Sequence, residues 1–102
     1  MKDAKKLIRE MVAGEPYEYY PVGRYIVVAP GVCAGRPTFK YTRIDVRHAL
    51  GLLAAGHTAE SVARDYRIPL KAVQEALNLA AKAIDRQSKE LTRRAGSSWT
   101  KN

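Results

Sequence analysis

Lys71, Gln74, Glu75 and Asn78 recur at steps of three and four, which on a helix gathers them on one exposed face. Amide side chains pair with the edge of adenine, and a lysine with guanine or phosphate, so this face carries the chemistry of DNA reading. Arg64, Arg67 and Lys82 flank it at positions suited to phosphates. A second basic group, Arg36, Lys40, Arg43 and Arg47, joins Arg24 in a stretch where Asp45 is the only acid and Tyr25, Phe39 and Tyr41 interleave. Strands paired into a ribbon could use that group on DNA. Equally, Arg36 and Arg43 could brace a loop by bonding backbone carbonyls.

Catalytic chemistry finds little support. Cys33 lies in a glycine-rich loop, and His48 and His57 fall on and just past a helix, so nothing places an imidazole beside the thiol. One thiol and two scattered imidazoles fit no zinc spacing. The loop Gly31-Val32-Cys33-Ala34-Gly35-Arg36 lacks the lysine and following helix of a phosphate-binding loop. The expectation is a protein that is not an enzyme, with no catalytic residues, no metal and no cofactor.

The chain that must position these residues has 102 residues, a net charge of +8 and 46% apolar residues. That is enough for one domain with arms, and too apolar for wholesale disorder. The positive excess points to a polyanionic partner, nucleic acid first. No apolar run nears the ~20 residues needed to cross a bilayer, and no apolar signal core follows the basic start. A cytoplasmic protein without a membrane partner is expected. The single cysteine excludes an internal disulfide.

Three regions are expected: an N-terminal helix and arm over 1–23, a β-hairpin plus helix-turn-helix domain over 24–84, and a helix end with a basic tail over 85–102. Leu7, Ile8, Met11 and Val12 fit one face of a helix over 3–12, stopped by Gly14 and Pro16. The tyrosine-rich segment after it has no clean period and reads as an arm. Arg24–Ala29 and Thr38–Tyr41 read as two strands of a hairpin, separated by Pro30-Gly31 and Gly35-Arg36-Pro37. Two strands alone are marginal, so the hairpin must pack on something or pair with another chain.

Helical signals then follow in order. Asp45 caps a helix that Gly56 ends, with Val46, Ala49, Leu50 and Leu53 inward. Thr58 caps a second over AESVARDY, and Pro69 opens a third from Leu70 to about Thr92. Thr58–Asn78 thus has the layout of a helix-turn-helix, with Ala63 at the crossing, Ile68 in the turn, and Val62, Val73 and Leu77 in the shared core. Arg67 stands where such turns often have glycine. The same packing also serves structural or protein-binding ends. The fold class expected is mainly α: a three-helix, homeodomain-like helix-turn-helix domain preceded by a short β-hairpin, with an N-terminal helix or arm and an extended C-terminal helix.

Along the third helix, Leu77, Ile84 and Leu91 fall on a heptad seam that a homodimer would bury; a chance spacing on a frayed tail is the alternative.

Residues 26–83 resemble a prokaryotic family of small unknown-function domains classed with antitoxins of the VapB type. The resemblance rests on Gly35-Arg36-Pro37, Thr42-Arg43-Ile44, Leu52-Leu53-Ala54-Ala55-Gly56 and Glu60-Ser61-Val62-Ala63 through Tyr66. Val73, Ala76-Leu77 and Ala80 continue it. Tyr41 departs from it, standing where the family has glycine. The resemblance implies a dimeric homeodomain-like antitoxin that binds double-stranded operator DNA and a PIN-like ribonuclease toxin. PIN-like sites hold metal with clustered carboxylates, which the tail arginines Arg86, Arg93 and Arg94 could neutralise, with Trp99 as an apolar anchor. A merely soluble tail is the alternative, and the arm bearing Tyr17, Tyr19 and Tyr20 is the rival toxin-binding element.

Overall fold

The computed structural model describes residues 6–95. Its elements are strands β1 (Ile8–Val12), β2 (Glu15–Pro21), β3 (Ile26–Val28) and β4 (Thr38–Phe39), then helices α1 (Val46–Ala54), α2 (Ala59–Tyr66) and α3 (Leu70–Ala95). The four strands form one antiparallel sheet in the order β1-β2-β3-β4. The fold is therefore α+β, not the mainly α homeodomain-like arrangement expected.

The correction begins at residue 8. The segment expected as an N-terminal helix is β1, and the expected arm is β2. Ala13 and Gly14 join them with positive φ at both positions (51° and 81°), as a two-residue type I′ hairpin turn requires. β1 then pairs along its whole length, from Ile8 opposite Tyr19 to Val12 opposite Glu15. The spacing of Leu7, Ile8, Met11 and Val12 suits a helix, but aromatic partners across the turn favour the strand. β2 gives its first five residues to β1, and Tyr20 and Pro21 pair with Val28 and Val27 of β3. Residue 23 lies in the turn that joins β2 to β3.

Alternation along β3 builds two cores. Ile26 joins Phe39, Val46, Ala49, Val62, Ala63, Ile68, Ala72, Val73 and Ala76 between sheet and helices. Val27 and Ala29 face the other way and pack with Tyr19. Leu77, expected in the shared helical core, is 43% exposed; Ala76 takes the inward position. Small alanines at Ala49, Ala63, Ala72 and Ala76 let the helices pack closely on the sheet.

Helix ends follow local chemistry. Asp45 caps α1 by accepting the Arg47 N–H at 2.8 Å, and Thr58 caps α2 by accepting the Ser61 N–H at 3.0 Å. No described helix is long and apolar enough to cross a membrane.

Candidate nucleic-acid interface

The turn between α2 and α3 is tight. Arg67 closes α2 in the left-handed conformation (φ 58°), the geometry glycine supplies in many such turns. The Ile68 N–H donates to the Ala63 carbonyl at 3.0 Å, and the buried Ile68 side chain pins the turn to the core. Pro69 lacks an N–H, which costs nothing at the start of α3. The helix-turn-helix layout is thus present, buttressed by a sheet.

Lys71, Gln74 and Asn78 lie exposed on the outward face of α3, with Lys82 one turn further along. Arg64 and Arg67 are exposed beside the turn, Arg64 within 3.8 Å of Asp65. Lys71, Gln74, Asn78 and Lys82 line an open groove of about 470 Å³, whose other wall is Val22, Gly23 and Tyr25 from the β2–β3 turn.

Glu75 has a role its spacing concealed. Its carboxylate accepts the backbone N–H groups of Arg24 at 2.8 Å and Tyr25 at 2.7 Å, so it ties α3 to the β2–β3 turn. The partners are some 50 residues away, and no local signal could have named them.

The second basic group divides. Arg36 donates to Asp45 at 2.7 Å, bracing the α1 cap through a carboxylate rather than a backbone carbonyl. That guanidinium holds the Asp45 carboxyl below its usual range. Arg47 lies 3.9 Å from the same carboxylate. Lys40 sits over the rings of Tyr19 and Tyr41, at 4.9 and 5.0 Å, and bonds to those phenols raise its pKa. Arg43 is exposed, and its carbonyl accepts the Cys33 thiol at 3.1 Å.

A tyrosine cluster holds the N-terminal hairpin. Glu10 accepts the phenols of Tyr41 at 2.7 Å and Tyr19 at 2.8 Å, and the Tyr41 N–H donates to the Tyr17 hydroxyl at 2.9 Å. The Tyr17 ring lies tilted against those of Tyr19 and Tyr41, at centroid distances of 5.2 and 5.3 Å. Tyr17 and Tyr19 are therefore committed to the sheet, and only Tyr20 of the three arm tyrosines is exposed.

Beyond Ala80, α3 leaves the domain, and residues 81–94 are exposed. Leu77, Ile84 and Leu91 stand 43%, 65% and 52% exposed on one side of it. Arg86 and Arg94 are exposed, and Arg93 pairs with Glu90. Trp99 lies outside the described residues. Among the described residues, no cluster of three or more His, Cys, Asp or Glu could hold a metal.

The fold is a small α+β domain in which three helices pack on a four-stranded antiparallel sheet. The family described as protein of unknown function DUF433 matches residues 26–80, more than half the chain, and the protein belongs to that family. No curated protein and no solved structure matches it. β1, β2 and the distal part of α3 lie outside the match.

Proposed function

We propose that this protein is a cytoplasmic antitoxin-type regulator that binds double-stranded operator DNA with α3 and neutralises a PIN-like ribonuclease toxin. The observation that carries the reading is the outward face of α3. Lys71, Gln74 and Asn78 stand exposed immediately after a tight helix-turn-helix turn, and no described residue bonds to their side chains. Amide and ammonium groups so presented match base edges and phosphates of the major groove. A second copy would cover Leu77, Ile84 and Leu91, giving the two-fold symmetry of a palindromic site. Arg86, Arg93 and Arg94 would then face an acidic toxin pocket, with Trp99 beyond them.

The test is fluorescence anisotropy with a labelled duplex from the DNA upstream of the protein's own reading frame, against a scrambled duplex, at two salt concentrations. A preference for the upstream duplex that survives moderate salt, and is lost in a Gln74→Ala, Asn78→Ala variant, is expected. Equal, salt-labile binding to both would mean that the +8 charge merely attracts phosphate. Undiminished toxin binding after truncation at Asp85 would remove the tail from the toxin interface.

The exposed seam on α3 favours one second reading, a protein-binding module that never touches DNA. Loss of DNA preference with intact partner capture would select it.

A further inference from the structure

We infer that the β2–β3 turn is a wing: a second DNA-contacting element whose Arg24 takes the phosphate backbone beside the groove that α3 reads. This rests on the DNA reading above and names a surface and a residue that reading does not contain.

The turn is built to hold a fixed position. The N–H groups of Val22 and Gly23 both donate to the Ile26 carbonyl at 2.9 Å, closing it on itself. Glu75 then clamps it to α3 through the Arg24 and Tyr25 N–H groups. Gly23 lets the two approach so closely that a β-carbon there would lie 2.6 Å from the Glu75 carboxyl carbon. An ordinary surface turn needs none of this. The clamp fixes a loop beside the helix that carries the recognition chemistry.

The groove between them is cationic and polar. Lys71 and Lys82 supply charge, Gln74 and Asn78 supply amides, and Glu75 is the only acid among the described residues that line it, with both carboxylate oxygens occupied by the turn. Arg24 adds an exposed guanidinium on that turn, 5.8 Å over the Tyr25 ring. Lys71 and Lys82 are eleven residues apart, about 16 Å along the helix. That exceeds the reach of one small phosphate and suits a strand rising ~3.4 Å per nucleotide. α2 packs on α3 and the turn is bonded to α3 through Glu75, so the turn can meet the backbone beside a groove that α3 enters.

The experiment follows the dissociation constant against salt for the labelled upstream duplex, using the full chain, its Arg24→Ala and Arg24→Lys variants, and Arg9→Ala as a distant cationic control. Arg24→Ala should bind several-fold more weakly at low salt, with the slope of log K against log salt shallower by about 0.9 and the preference over scrambled DNA unchanged. Arg24→Lys should restore the slope, and Arg9→Ala should keep it. Circular dichroism confirms that each variant is folded. If the wild-type chain discriminates the upstream duplex but Arg24→Ala keeps the full slope, the wing is overturned and the α3 reading stands. If the wild-type chain shows no preference at all, both fall.

Discussion

Glu75 and Gly23 meet where helix and sheet join: a β-carbon on Gly23 would lie 2.6 Å from the Glu75 Cδ, whose oxygens accept the next two backbone N–H groups at 2.8 and 2.7 Å. The carboxyl is the end of a flexible side chain and can swing away from an added methyl. The cost of Gly23→Ala is therefore the loss of those two bonds, not overlap itself. Glu75→Ala loses the same bonds. Each change should cost about 1–2 kcal/mol, and the double variant no more than the larger single one. Urea midpoints of the four proteins test this. Additive losses would show that the two residues act separately.

The β1–β2 turn makes a second prediction. Ala13 adopts φ 51°, a region where a β-carbon is strained and asparagine is better tolerated. Ala13→Asn should slow amide exchange across Ile8–Val12 and stabilise the hairpin by roughly 0.5–1 kcal/mol. Faster exchange in β1 would contradict the hairpin, and with it the correction of the N-terminal helix.

These two sites mark the edge of what the sequence revealed. The helices were legible because their ends are encoded locally: Asp45 and Thr58 cap within three residues, and Pro69 stands at the start of α3. The strands β3 and β4 were legible as β-branched and aromatic runs between turn residues. β1 was not, since Leu7, Ile8, Met11 and Val12 fit a helix equally well. Only pairing with Tyr17 and Tyr19, across a turn lacking the usual asparagine, decides the matter. The exposed face of Lys71, Gln74 and Asn78 followed from periodicity alone. The same periodicity hid Glu75, whose partners belong to a different element.

Tyr41 replaces the glycine the family resemblance leads one to expect, and it has φ 67°. The left-handed backbone costs a side chain about 1–2 kcal/mol. Here the side chain compensates, because its phenol reaches Glu10 of β1. Tyr41→Phe keeps the strain and loses the bond, so it should lower the thermal midpoint. Tyr41→Gly relieves the strain, so its thermal midpoint should fall less than its loss of the ring would suggest. In both variants amide exchange should quicken in β1 and stay unchanged in α2. Unaltered exchange in β1 would mean that Tyr41 does not anchor the hairpin.

Thr38 is fully buried, and among the described residues no group bonds to its Oγ1. A buried hydroxyl without a protein partner costs roughly 1–3 kcal/mol relative to an apolar group of the same shape. Thr38→Val should therefore match the wild type or exceed it by about 1 kcal/mol in chemical denaturation. A loss of stability would show that the hydroxyl is satisfied in solution.

Stability should form a plateau in pH, with limbs set by the hairpin and the α1 cap. The Tyr41 and Tyr19 phenols hold Glu10 below the usual carboxylate range, and Arg36 does the same for Asp45. A carboxyl depressed by folding contributes fully above its unfolded pKa. That contribution fades as pH falls through the folded value, so the acid limb lies below about pH 4. Lys40 is raised by Tyr19 and Tyr41, and Tyr41 is raised by its bond to Glu10. Their contribution is complete below the unfolded values and is lost as pH rises through the folded ones, above about pH 10. Glu10→Gln should flatten the acid limb for exchange of the β1 amides, while Asp45→Asn should flatten it for global melting. Acid limbs that stay steep in both variants would mean that other carboxyls govern the transition, and that neither the tyrosine cluster nor the Arg36–Asp45 pair carries the stability assigned to it.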